Sequence, residues 1–543
     1  MTTGQFSVPT PANEPQRMYP PGSPERAALE ERVRAMEKER VEAPMVIGGQ
    51  RVSSTTHFEQ RAPHRRELVL ADVHAAQREH VEQAIDAALA VAREWAAMPW
   101  EERAAVFLRA ADLLSGPWRD TVNAATILGQ SKSVYQAEID AACELIDFLR
   151  FNVAYAEQIY AEQPPISPTG VWNRLDYRQL EGFVLAITPF NFTAIAGNLP
   201  TAPALMGNVV VWKPSEKQAL AAHYTMRLLE AAGLPPGVIN LVHGDGALAV
   251  DVATAHRDFG GLHFTGSTQV LKGIWRTIGE RIDTYRTYPR IVGESGGKNF
   301  VVAHPSAEIE PLVVALGRGA FEYQGQKCSA ASRAYIPASL WPEVRDGLAD
   351  LARDAKAAMG DVADLSTFMG AVIDQAAFDK HVEALARARA EGVEVLVGGG
   401  TAESDGWFVD PTVLVTPDPQ SDTMVRELFG PILTVYVYDD ADWLNTLDLV
   451  DNTSAYALTG SVVAQDRHAI ADALEALRNA AGNFYVNDKP TGSIVGQQPF
   501  GGARASGTND KAGSLFNIVR WVSPRAIKET YVPPRDWRYP HMG

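Results

Sequence analysis

Short apolar runs recur through the middle of the chain, each closed by a turn and followed by a stretch with helical spacing. They are Gly182-Phe-Val-Leu-Ala-Ile-Thr-Pro189, Gly207-Asn-Val-Val-Val-Trp-Lys-Pro214, Val238-Ile-Asn-Leu-Val-His-Gly244 and Gly261-Leu-His-Phe-Thr-Gly-Ser267. Strand and helix alternating at this pitch predict a parallel sheet with helices on both faces. Ligands of such a sheet sit at the carboxyl ends of its strands. Beyond residue 328 the pattern returns in Arg333-Ala-Tyr-Ile-Pro337, Phe368-Met-Gly-Ala-Val-Ile373 and Leu433-Thr-Val-Tyr-Val-Tyr438, which predicts a second α/β unit.

The amino-terminal third reads differently. Residues 1–22 are polar and proline-rich, an extended arm. Ser23-Pro24-Glu25 then starts a helix with a capping hydroxyl, a first-turn proline and an acid at the positive helix end. Leu29, Val33 and Met36 give that helix one narrow apolar stripe. A strand-like Pro44-Met-Val-Ile-Gly-Gly49 and a polar hairpin region follow. Alanine-rich helical spacing runs from Arg78 to Leu114, broken at Pro99, and resumes around Cys143 as far as Glu162. The prolines of 163–170 end it. Two stretches, 164–182 and 520–535, read as strands without a sheet of their own.

A chain of 543 residues exceeds one ordinary core, so two or three domains are expected. No apolar run is long enough to span a membrane. A formal charge of −17 argues against nucleic acid as a partner. Two cysteines cannot build a disulfide framework and point to a reducing compartment. The first residues carry neither a secretory nor an Arg-rich presequence pattern, so the cytoplasm is expected. The histidines lack His-x-x-x-His spacing and there is no Cys-x-x-Cys, so no metal site is expected.

The candidate chemistry gathers at Cys328, after the turn Gly325-Gln-Lys and before Ser-Ala-Ala-Ser, where a flexible turn is expected to present the thiol. Cys143 lies in a helix and reads as packing. A single free cysteine is more often a small buried hydrophobe than a nucleophile, and both readings stand on the residues alone. Glu294, in Val292-Gly-Glu-Ser-Gly-Gly-Lys298, offers a carboxylate for hydrolysis after covalent attack. At the strand ends, Gly244-Asp-Gly-Ala-Leu-Ala249 fits a dinucleotide fingerprint formally. Gly266-Ser267 at a helix start could hold phosphate, and Lys213-Pro-Ser-Glu216 could hold ribose hydroxyls.

Six ordered motifs, Thr188-Pro-Phe-Asn191-Phe, Trp212-Lys-Pro-Ser-Glu216, Phe264-Thr-Gly-Ser-Thr268, Glu294-Ser-Gly-Gly-Lys298, Gly325-Gln-Lys-Cys328 and Glu427-Leu-Phe-Gly-Pro431, resemble those of the aldehyde dehydrogenase superfamily. The resemblance covers about residues 45–530 and includes the Glu-to-Cys interval, 328 − 294 = 34. It departs at Ser295, where the family usually carries leucine, with an expected effect on packing beside the glutamate. Thr491-Gly-Ser-Ile-Val-Gly-Gln-Gln-Pro-Phe-Gly-Gly resembles the branch acting on glutamate-γ-semialdehyde. In its two-activity members a proline-oxidising module comes first; about 44 residues are too few for one, implying the single-activity form.

The resemblance implies a Rossmann-type NAD-binding domain (45–163 and 183–300), an α/β catalytic domain (301–510), a β oligomerisation flap with a C-terminal strand (164–182 and 511–543), and a homodimer. Residues 1–44 form the arm and its helix. It implies Cys328 as nucleophile, Glu294 as base and Asn191 as an oxyanion donor. For NAD it implies Thr188, Lys213, Glu216, Gly266, Ser267, Glu427 and Phe429, and the Gly244 fingerprint loses its claim. It implies Ser329, Gly492 and Ser493 as the anchor for the substrate's carboxylate. Another carboxylated semialdehyde, such as succinic semialdehyde, and a catalytically silent relative are the rival expectations.

Overall fold

Valine, isoleucine and leucine bury both faces of the central strands, as a sheet between helix layers requires. The computed structural model describes Gly4 and residues 6–543. Its first large sheet contains β1 (Met45–Ile47), β2 (Gln50–Val52), β3 (Phe183–Thr188), β4 (Val209–Pro214), β5 (Ile239–Leu241), β6 (Phe259–Thr265) and β7 (Arg290–Glu294). Their order is β7-β6-β3-β4-β5-β1-β2. The first five in that order run parallel, and the β1–β2 hairpin closes the edge antiparallel. The chain moves outward from β3 through β4 and β5, then returns to the other side of β3 as β6. The carboxyl ends of β3 and β6 therefore flank a switch point, where open α/β sheets receive ligands. Thr188, Lys213, Gly266 and Glu294 all end up along this rim.

Four residues, Ser295–Lys298, lead from β7 into a second sheet. It comprises β8 (Asn299–Ala303), β9 (Ala331–Pro337), β10 (Glu394–Val397), β11 (Thr412–Thr416), β12 (Ile432–Tyr438), β13 (Thr459–Val463) and β14 (Asn483–Val486). The order is β10-β11-β12-β9-β8-β13-β14, parallel except for β10. The strand predicted over 368–373 does not form. Its N–H groups are spent elsewhere: Ala371 donates to Ser131 Oγ, Val372 to the Trp407 carbonyl and Ile373 to Gln326 Oε1.

The helix Pro24–Met36 starts as expected, with Ser23 Oγ accepting from the Arg26 N–H at 3.2 Å, and buries Leu29, Val33 and Met36. Val171–Arg178 and Ser523–Thr530 pair antiparallel with each other in a separate two-stranded ribbon. Among the described residues no helix is long and apolar enough to cross a membrane.

Candidate active site

Cys328 is held by a strained turn. Tyr323, Gln324 and Gly325 are left-handed in succession, with φ of 51°, 54° and 65°. Two non-glycine residues keep that conformation only where their surroundings over-determine it. Gln324 Nε2 donates to the carbonyls of Ser131 (2.9 Å) and Ala371 (2.8 Å), and a Cβ at Gly325 would stand 2.2 Å from the Gly430 oxygen. The turn is therefore pinned, not flexible, and Cys328 is only 8% exposed. This corrects the expectation of a presented thiol. Cys328 borders a cavity of about 260 Å³, together with Glu144, Phe192, Lys327, Ser329 and the Thr491–Ser493 segment. Burial above all, and then the charges of Glu294, Glu427 and Glu144, push its thiol pKa up. Burial thus favours the thiol over the thiolate at this position.

Asn191 follows β3, and its Nδ2 donates to the Gln326 carbonyl at 3.0 Å, tying the first sheet to the cysteine turn. One N–H of that amide stays free. Glu294 ends β7 and accepts from the Gly502 N–H at 3.1 Å. Burial pushes its pKa up to about 8; the Gly502 hydrogen bond and Lys511 oppose the shift, and Asp510 adds to it. Glu294 borders a second, narrower cavity with His263, Asp510 and Lys511. Glu144, Ile195 and Phe500 are walls of both cavities.

Glu144 escaped the sequence reading. It sits where a π-turn, Glu138–Cys143, interrupts helical spacing before the helix Glu144–Ala161. Desolvation first, then Asp140, raises its pKa well above the usual range. The signal available was a density of acids, Glu138, Asp140, Glu144 and Asp147, inside an otherwise apolar helix. Cys143, read as packing, is buried as expected but also lines the larger cavity.

Along the rim, desolvation pulls the pKa of the buried Lys213 down, against Glu216 and Asp245. Gly246 leaves room beside it: an added Cβ would lie 3.4 Å from Lys213 Nζ. The formal fingerprint at Gly244 is a turn and a cap, with Asp245 accepting from the Ala247 N–H at 2.8 Å. Ser267 Oγ caps the helix Thr268–Glu280, accepting from the Val270 N–H at 3.3 Å. Thr188 receives the Trp212 indole N–H on its hydroxyl and the Ser215 N–H on its carbonyl. Glu427 accepts from the Gly297 N–H at 2.8 Å, and Phe429, at φ 58°, meets Phe190 edge-on at 5.9 Å.

Also lining the larger cavity, Ser329 Oγ shares a 2.7 Å hydrogen bond with Thr491 Oγ1. Gly492 follows at φ 94°, a conformation suited to glycine, and Ser493 lines the cavity. Ser295 does more than alter packing: its hydroxyl donates to the Ala505 carbonyl at 2.9 Å and accepts from Thr268 Oγ1 at 3.0 Å.

The sequence profile described as the aldehyde dehydrogenase family matches residues 51–522. The chain belongs to the aldehyde dehydrogenase family. It is 50% identical over 546 residues to the Delta-1-pyrroline-5-carboxylate dehydrogenase of Agaricus bisporus, covering 99% of each. The mitochondrial protein of that name from Homo sapiens is 49% identical over 534 residues, covering 98% of this chain and 94% of that one. The crystal structure of the Mycobacterium tuberculosis Delta-pyrroline-5-carboxylate dehydrogenase bound with NAD is 56% identical, with a TM-score of 0.96 and full coverage of both chains.

Within this aldehyde dehydrogenase, Gly296 offers a direct test of the Glu427 position. A Cβ there would fall 2.2 Å from Glu427 Oε2. Gly296→Ala is expected to displace that carboxylate and raise KM for the dinucleotide about tenfold, the value of one charge-assisted hydrogen bond. Initial rates across a cofactor series at fixed aldehyde measure it.

Proposed function

We propose that this chain oxidises L-glutamate-γ-semialdehyde, the open form of Δ1-pyrroline-5-carboxylate, to L-glutamate, the second step of proline breakdown. The supporting observation is one cavity whose wall carries Cys328 at one place and Ser329, Gly492 and Ser493 at another. A thiol and a carboxylate anchor on one cavity suit a short aldehyde that bears its own carboxylate.

Cys328 Sγ releases its proton to the solvent and, as the thiolate, attacks the aldehyde carbon. The free N–H of Asn191 and the backbone N–H of Cys328 stabilise the oxyanion, and losing one such donor costs about 2.7–4 kcal/mol of barrier. Bound NAD⁺ would supply the hydride acceptor here. Cys328 then carries the acyl group as a thioester. Glu294 takes a proton from water as its oxygen attacks the acyl carbon; the C–S bond breaks, and glutamate and the free thiol are released.

The rim suits a dinucleotide: the buried Lys213 at one strand end, and the amino end of the helix Thr268–Glu280, free of acids in its first turn. Lys213 and Glu216 would hold the adenine ribose, Gly266 and Ser267 the pyrophosphate, with Thr188 in the same crevice. Glu427 would hold the nicotinamide ribose and Phe429 would pack on the ring. A carboxylate at Glu216 repels a 2′-phosphate and favours NAD over NADP. In this reading residues 45–163 with 183–300 bind the cofactor and 301–510 carry the catalytic cysteine. The ribbon keeps two free strand edges, which supports subunit pairing by edge addition in a homodimer. Two free, buried cysteines support a reducing, cytoplasmic setting.

NADH formation with glutamate-γ-semialdehyde, beside succinic semialdehyde, tests the reaction; equal or better kcat/KM on the shorter substrate sinks it. Ser493→Ala is expected to raise KM for the semialdehyde by the ~1–3 kcal/mol of a lost hydrogen bond to a charge. An unchanged KM removes Ser493 from the anchor.

A further inference from the structure

Residues 6–22 of the amino-terminal arm form no helix or strand, yet they are bound into the body of the protein. The Val8 N–H donates to the Glu157 carboxylate, the Glu14 N–H to Asp147 Oδ1 at 2.7 Å, and the Arg17 N–H to Glu138 Oε1 at 2.8 Å. The Glu14 carboxylate is paired with Arg119 and Arg150, and Tyr19 donates to Glu138. Asn13 spends both ends of its amide. Nδ2 donates to Asp147 Oδ2 at 2.8 Å and to the Val495 carbonyl at 2.7 Å, while Oδ1 accepts from Gln497 Nε2 at 3.0 Å.

Those contacts join the helix Glu144–Ala161 to the segment directly after Gly492 and Ser493. That segment is seated by the buried Val495 side chain and, at its start, by the Thr491–Ser329 hydrogen bond. Gly496 at φ 82° lies against the Phe151 ring, and the hydrogen bonds of its own turn stay within 494–498, so Asn13 supplies the segment's polar tie to the helix. Asn13, Glu14 and Gln16 also form part of the wall of the cavity that Cys328 and Ser493 border. Gln16 Nε2 is buried there without a hydrogen-bond partner. A buried amide donor left unpaired is costly unless something else pairs with it.

We propose that the arm is the outer wall of the substrate site: Asn13 is a positioning residue that sets the 491–498 segment, and Gln16 donates its spare amide N–H to the carboxylate end of the substrate. This rests on the proposed reaction only for the identity of that substrate. Its test is a ratio of kcat/KM values, semialdehyde over propanal, which bears no carboxylate. Asn13→Ala is expected to lower the ratio about tenfold through KM for the semialdehyde, one hydrogen bond to a charge. Asn13→Asp, which sets a second carboxylate against Asp147, lowers it further.

Gln16→Leu separates binding from folding. Nε2 has no partner in the protein, so a structural role predicts an unchanged ratio and an unchanged or raised Tm. The proposal predicts a fall in the ratio at undiminished Tm. A third readout needs no substrate: alkylation of Cys328 by iodoacetamide, followed by peptide mass, is expected to speed up in Asn13→Ala. If the wild type ignores the semialdehyde, the proposed reaction fails and this labelling rate still decides the arm. Unchanged labelling, or a constant ratio in both Asn13→Ala and Gln16→Leu, overturns it.

Discussion

Cys328→Ala forms no NADH from any aldehyde, while still binding the dinucleotide. Removing the proposed nucleophile would remove every covalent step at once, and losses of this kind in other enzymes reach about 10⁴-fold to 10⁶-fold in kcat. Folding survives because the sulfur is a small buried group, whose loss exposes little and costs about 1 kcal/mol. The turn around it is held by the Gln324 side chain and by Asn299 Nδ2 on the Cys328 carbonyl at 2.7 Å, none of which involves Sγ. Cofactor titration by fluorescence and a thermal melt beside the assay separate the two effects. Turnover near the wild-type rate would leave the cavity without its chemistry.

Glu294→Gln is expected to give one rapid equivalent of NADH and then stop, with the acyl group retained on Cys328 and visible by mass. The amide keeps the shape and the bond from Gly502 but cannot take a proton from water. The same residue sets a pH signature. With its pKa pushed up to about 8, Glu294 is protonated and idle as a base at lower pH. Thioester hydrolysis in the wild type should therefore rise as pH passes through about 8. Replacing Lys511, whose charge opposes the shift, with methionine should move that rise to higher pH. A steady-state rate in the glutamine variant equal to wild type would reassign the base.

Much of this was legible in the residues. Val209–Trp212 and Phe183–Ala186 are buried on both faces and could only be central strands. Ser23 read as a cap because its oxygen lies one turn from the N–H it accepts. Failures came where distant parts of the chain decide local shape. The cysteine turn looked flexible, but Ser131 and Ala371 hold Gln324 from positions far away in sequence. The 368–373 stretch has strand-forming residues, yet its donors go to Ser131 and Gln326 and leave none for a ladder. Glu144 is visible only after folding, since its importance lies in standing between two cavities. Glu294 stood out as a carboxylate in a glycine-rich segment near the thiol, whereas the role of Asn191 came only from motif resemblance, since periodicity could not have selected it.

The connector Ser295–Lys298 has a bearing on how the chemistry keeps time. Its first residue adjoins Glu294, and an added Cβ on Gly297 would stand 2.4 Å from the Cys328 carbonyl oxygen. In the proposed reaction, water activation and acyl storage would thus be set a fixed, short tether apart, so that its two halves share one ruler. Lengthening that tether by a single residue would leave every reacting group intact and still uncouple oxidation from release.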